Sequence, residues 1–194
     1  MIAFESFEFA DVVRLPADYA VLDMSNGPME LPEATEYAIG KYNEHRPDIY
    51  NAGQYQGVRD NHIGIDIFAP ENTEISSFYD GVISQRAYND LPLDYGHTLI
   101  VEYNLGGNNL FALYGHLSKA SYEQNPPGKK IKRGEVFAWM GKPEENGGWP
   151  VHLHLQLSYE SPDVCDMPGV VSAEDLPQML TKYPDPQLVL GKLY

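Results

Sequence analysis

Residues 151–159 alternate strictly in polarity. Read as a strand, this stretch puts His152, His154 and Gln156 on one face and Leu153, Leu155 and Leu157 on the other. The runs at 63–68, 74–78, 81–86, 97–103, 110–117, 130–132 and 136–140 are rich in Ile, Val, Tyr, Phe and Leu. Gly, Pro and Asn turns separate them, so they predict further short strands. No long amphipathic helix lies between them, which points to a mainly β fold of antiparallel sheets with a few short peripheral helices. Residues 31–50 could hold a turn or two of helix interrupted by Gly40. A second short helix is expected near 175–182, capped by Ser172 or Asp175. There is no internal repeat and no Gly/Ser linker, so residues 1–194 read as a single domain. Within it, 1–50 form an N-terminal packing segment, 51–160 a β core that holds the chemistry, and 161–194 a Pro-rich C-terminal wrap.

Composition narrows the range of functions. A chain of 194 residues with 43% hydrophobic residues is long enough to bury roughly 70% of its surface, which argues against disorder. The formal charge of −15 and the lack of a Lys/Arg stripe disfavour nucleic acid as a partner. The single cysteine, Cys165, has no partner for a disulfide or a sulfur metal site and reads as structural. The N-terminal residues carry acids where a secretory signal would be basic, and no apolar run approaches the roughly 20 residues of a membrane span. The expectation is therefore a cytoplasmic protein with no membrane partner, its oligomeric state left open.

Four of the six histidines fall within the β region in settings that do not read as ordinary surface: His62, His116, His152 and His154, while His97 and His45 read as structural. On a straight strand His152 and His154 would lie about 6–7 Å apart, so one can ligate an ion while the other faces a water bound to it. His62 and Asp66 would be about 13 Å apart on such a strand, and they can share one metal only if the backbone bends between them, with Gly64 as the residue that permits it. His62, Asp66 and His154 together make a set of two imidazoles and one carboxylate that leaves a fourth tetrahedral position for water. His116 follows Gly115 at a strand end and is a candidate second proton carrier.

The motifs His62-x3-Asp66, Tyr114-Gly115-His116-Leu117 and His152-Leu153-His154, in that order, resemble the lysostaphin-like zinc metallopeptidases. The stretches 40–46, 92–96, 145–150 and 183–186 look like the metallopeptidase domain found fused to class III aminotransferases in some bacteria. For the fold, the resemblance implies a duplicated hybrid motif, a barrel-sandwich hybrid of antiparallel sheets. It also implies one Zn²⁺ per chain on His62, Asp66 and His154, with His116 and His152 flanking the metal-bound water, in a metalloendopeptidase that hydrolyses peptide bonds. Arg59, Tyr55 and Trp149 are weaker candidates for substrate contacts. Intact wall is anionic and outside the cytoplasm, so small muropeptides or related peptides suit a −15 chain better. Two other readings of the same fold are an inactive binding module and a histidine phosphocarrier-like domain; the first lacks support because all five site residues are present, and the second leaves Asp66 unexplained.

Overall fold

A computed structural model describes residues 2–28, 35–50, 53 and 58–194. In chain order the strands are β1 (Ala20–Val21), β2 (Ala38–Gly40), β3 (Glu44–His45), β4 (Asn61–His62), β5 (Ile65–Phe68), β6 (Glu74–Ser76), β7 (Gly81–Asn89), β8 (Gly96–Leu105), β9 (Asn108–Leu117), β10 (Lys130–Ile131), β11 (Val136–Trp139), β12 (His152–Ser158) and β13 (Val170–Val171). Three short helices, α1 (Lys119–Gln124), α2 (Leu176–Lys182) and α3 (Gln187–Leu190), decorate them.

The main sheet has eight strands in the order β1-β2-β5-β12-β9-β8-β7-β10; β6 with β11, and β3-β4-β13, form two smaller sheets. Its two longest strands form the β8–β9 hairpin, where Leu105 pairs with Asn108 across Gly106 and Gly107. Both glycines have positive φ (61° and 87°), the backbone a two-residue hairpin turn needs. β12 lies between β5 and β9 and is buried along its whole length. Leu153, Leu155 and Leu157 join the main core with Ile65, Ile67, Leu99, Val101, Tyr103 and Tyr114. The polar face of β12 is thereby turned away from the core, toward a cavity. The two buried phenols in that core satisfy each other, Tyr103 and Tyr114 sharing a 2.7 Å hydrogen bond.

The antiparallel, mainly β architecture expected from the sequence is what the chain forms, with one exception: β1 pairs with β2 in parallel. No helix forms in the described part of 31–50. Residues 38–40 instead run as β2 against β5, and Ala38, Ile39 and Gly40 are all buried; pairing on the sheet edge overrides the weak helical pattern. The predicted strand 63–68 forms over 65–68 only, as β5 of the main sheet, because the chain ahead of it, β4 at Asn61–His62, belongs to the three-stranded sheet. α1, capped by Ser118 accepting from the Ser121 amide, and α3 are additions to the sequence reading, while α2 begins after Asp175 as expected. Asp175 makes no side-chain cap bond to that helix; its amide instead donates to Ser172 Oγ.

The N-terminal segment packs by aromatic contacts, Phe7 and Phe9 meeting Tyr79, and Phe9 meeting Phe78, and by the Ala10 and Val12 backbone bonds to 76–78. Cys165 is buried, and burial pushes its thiol up to about 12, consistent with a structural residue. Among the described residues no helix is long and apolar enough to cross a membrane. Leu155→Ala should open a cavity beneath the polar face of β12 and cost about 2–5 kcal/mol, read as a lower urea midpoint at unchanged slope.

Candidate metal centre

The break between β4 and β5 assembles the site. As the chain passes through Ile63 and Gly64 it leaves one sheet for another, and His62 and Asp66 turn back on each other, His62 Nε2 lying 3.2 Å from Asp66 Oδ1. On β12, His154 is the cross-strand partner of Asp66, and its Nδ1 lies 2.9 Å from the same oxygen. His62 Nε2 and His154 Nδ1 are 3.1 Å apart, so three buried donor atoms converge on one point. Gly64 does not take a left-handed conformation. Its role is space: a methyl group there would collide with Cε1 and Nε2 of the His154 ring.

The remote nitrogens of these rings decide what the near ones present. His62 Nδ1 lies 3.0 Å from the Lys41 carbonyl oxygen, an acceptor only, so it carries the proton and leaves a lone pair on Nε2. His154 Nε2 lies 3.1 Å from Gln156 Oε1, whose own amide nitrogen donates to the Pro168 carbonyl. That arrangement places the His154 proton on Nε2 and a lone pair on Nδ1. With Asp66 Oδ1, the pocket gathers three acceptors and no proton, a donor set that calls for a cation. Two imidazoles and a carboxylate match zinc chemistry. Bonds of about 2.0–2.2 Å in a tetrahedron put ligand atoms about 3.3 Å apart, slightly wider than the separations here.

The other two histidines use the same device. His116 Nδ1 donates to the Asn146 carbonyl at 2.8 Å and His152 Nδ1 to the Pro150 carbonyl at 2.7 Å, so both rings keep Nε2 bare. Their centroids are 4.2 Å apart, and His152 Nε2 is 3.9 Å from Asp66 Oδ1. His116, the last residue but one of β9, takes a left-handed conformation (φ 63°), held by its amide donating to the Tyr95 carbonyl and its carbonyl accepting from the Gly141 amide. For a non-glycine this strain costs about 1–3 kcal/mol and persists because the surroundings enforce it.

Burial depresses the basicity of His62, His116 and His152. His62 falls to about 4, with the Arg46 charge adding to burial; His116 falls well below the usual range, helped by its neighbours His152 and His154; His152 is lowered despite the pull of Asp66. Burial disfavours the Asp66 carboxylate, yet the Arg46 guanidinium against its Oδ2 holds the carboxyl well below the ordinary value. At neutral pH these three imidazoles are free bases facing an ionised carboxylate.

A cavity of about 680 Å³ opens over this cluster. One side is apolar, with Leu22, Met24, Ile49 and Phe68; the other carries Leu93, Tyr95, Met167 and Pro168. Trp149 stands in its wall, its ring edge-on to His116 and His152, and Arg59 lines it as well. Burial and Asp94 raise the Asp166 carboxyl there against the pull of Arg59. Tyr55 lies outside the described residues. The structure thus brings together His62, Asp66, His116, His152 and His154, and sets Arg59 and Trp149 at the periphery. Sequence reasoning missed the supports. Gln156 had a visible signal, since it shares the polar face of β12; the carbonyls of Lys41, Asn146 and Pro150 had none.

A family model described as Peptidase family M23 matches residues 60–165. The chain is 30% identical over 95 residues to proteins named DD-carboxypeptidase/endopeptidase Mpg from Neisseria meningitidis serogroup B and from Neisseria gonorrhoeae, covering 49% of this chain and 19% of each relative. It spans about a fifth of the length of these curated relatives. Among solved structures, it is similar to a mutant catalytic domain of the prophage-encoded M23 protein EnpA from Enterococcus faecalis (22% identity, 76% of this chain and 95% of that one, TM-score 0.48). Another is the catalytic domain of the antimicrobial peptidase lysostaphin from Staphylococcus simulans (18%, 74% and 92%, TM-score 0.48). Gly64→Ala should displace the His154 ring and weaken zinc binding about 10–100-fold, as disturbing the support of a ligand does, measured by competition with a chromophoric chelator.

Proposed function

The chain belongs to peptidase family M23, whose members are zinc-dependent, and from that premise we propose that His62, Asp66 and His154 hold one Zn²⁺ while His116 and His152 handle protons in the hydrolysis of a peptide bond. The observation that carries this reading is the convergence of three unprotonated donor atoms, His62 Nε2, Asp66 Oδ1 and His154 Nδ1, beside two further imidazoles with bare Nε2 atoms. Zinc held there supplies Lewis acidity, toward a scissile carbonyl and toward a water whose pKa it brings down to about 7.

The protein's own groups do the rest. Neutral His116 and His152 each begin as a proton acceptor at Nε2. Whichever ring takes a proton becomes an imidazolium whose other N–H already has a carbonyl acceptor, Asn146 or Pro150. Their depressed basicity means that such a proton is readily given up, which suits delivery to the departing amine. The second ring can then donate toward the oxygen that gains charge. The partly apolar cavity, with Trp149 beside both rings, limits water around the reacting groups.

For substrate we propose peptidoglycan-derived peptides, small muropeptides rather than intact anionic wall, since the chain carries a net charge of −15. Among M23 domains, the motifs at 40–46, 92–96, 145–150 and 183–186 favour kinship with those joined to class III aminotransferases. A phosphocarrier role fits poorly, because the ionised Asp66 beside His62 and His154 would repel a phosphoryl group. Metal analysis and muropeptide hydrolysis test the assignment together. His154→Ala should lose the zinc; His116→Ala and His152→Ala should keep about one zinc and lose activity by about 10²–10⁴-fold. A fully active His152→Ala protein would contradict the mechanism.

A further inference from the structure

We infer that Arg46, braced by Glu44, is a positioning residue that holds Asp66 as a one-oxygen ligand and keeps the ligand set assembled before any ion arrives; this rests on the zinc reading above. The two carboxylate oxygens of Asp66 have separate environments. Oδ1 faces His62 and His154, whereas Oδ2 accepts from Arg46 Nη1 at 2.6 Å. A carboxylate with one oxygen bound to a guanidinium has only the other to offer a metal.

Arg46 is itself fixed on every side. Its Nε donates to Glu44 Oε2 at 2.9 Å, Nη1 also to the Tyr50 hydroxyl at 3.1 Å, and Nη2 to the Lys41 carbonyl at 3.2 Å. Glu44 is anchored in turn, its Oε1 receiving the Lys41 ammonium at 3.1 Å and the Met24 amide at 3.2 Å. Glu44 and Arg46 are both buried, at 6% and 2% exposure, so surface pairing does not account for them. The Lys41 carbonyl that receives Arg46 Nη2 also receives His62 Nδ1–H. One short segment, 41–46, therefore braces two of the three ligands from behind. Glu44 is, moreover, the cross-strand partner of His62.

Buried charge balance supports the same conclusion. Asp66 and Glu44 contribute two negative charges, Arg46 and Lys41 two positive ones, so the metal-free site is neutral while its acceptors already point at one another. A buried carboxylate stripped of its partner would turn away or take up a proton. Gly40 permits the approach: a methyl group there would press on Arg46 Nη2 and the Asp66 Cβ.

The test uses the whole chain loaded with cobalt(II), whose visible absorption is strong in four-coordinate sites and weaker in five-coordinate ones, alongside zinc affinity from chelator competition. Arg46→Lys keeps the charge but loses the fork; it should bind zinc about 10–100-fold more weakly and give a weaker cobalt band as Asp66 offers both oxygens. Glu44→Gln, which retains an acceptor for Nε, should move both readouts in the same direction at the lower end, about tenfold. If Arg46→Lys fails to fold by circular dichroism, Glu44→Gln decides. Folded variants with unchanged affinity and spectrum overturn this inference alone. Wild-type protein that takes up neither ion overturns the zinc reading and this inference with it.

Discussion

The site depends on one repeated hydrogen bond, an imidazole N–H donating backward to a carbonyl oxygen. It occurs four times, at Lys41 for His62, at Gln156 for His154, at Asn146 for His116 and at Pro150 for His152. Each bond fixes a tautomer, and each tautomer leaves a lone pair aimed inward. A histidine without such a partner would rotate or exchange its proton between nitrogens, and its metal affinity or basicity would be an average over states. Three of the acceptors are backbone atoms, so the chemistry of the rings is tied to the path of the main chain. The loop 141–150 shows how tightly. Asn146 is fully buried and bonds through its side chain to Gly141, Gly148 and Trp149, so the carbonyl facing His116 cannot wander.

Sheet topology supplies the second element of order. Gly40, Asp66, His154 and Gly115 occupy successive positions on β2, β5, β12 and β9, one row crossing the main sheet. Two members of that row are glycines, and their missing side chains leave room for Arg46 at one end and the Tyr95 ring at the other. Tyr95 then packs against His116 and His154 and donates its hydroxyl to the Met167 carbonyl, joining the C-terminal segment to the site. The segment 161–194 is therefore more than a wrap. It contributes β13 as partner to β4, and Met167 through Val170 to the cavity wall.

Much of this was legible in the sequence, for a definable reason. The alternation at 151–159 determines which face of β12 is polar, and a period of two survives any tertiary context that buries only one face. The four-residue gap from His62 to Asp66 demanded a bend on a strand, and the bend exists. Its cause was not legible, because changing sheets depends on pairing with Glu44 and Val170, residues remote in sequence. The turn or two of helix expected within 31–50 fails for the same reason: the neighbour of 38–40 on the sheet is 66–68, and local pattern carries no trace of it. Arg46 was equally hidden. Nothing about an arginine just after a two-residue strand announces that it will be buried against an aspartate twenty positions on.

A site that gathers lone pairs costs stability while it has no ion. Three acceptors within about 3 Å of one another repel, and three imidazoles are held neutral where their solvated counterparts take up a proton below about pH 6.5, so the cost grows as pH falls. Ion pairing behind the carboxylate offsets part of that cost; the ion itself offsets the rest. Saturating a site at about a thousand times its dissociation constant adds about 4 kcal/mol to the folded state, a large share of the margin of a small domain. The cluster is also walled by the sheet centre, so releasing its strain by letting a ligand swing away would disturb β5 and β12 together. Rigidity of the sheet thus keeps the acceptors aimed at one point, and that aim gives the cluster its affinity for a cation.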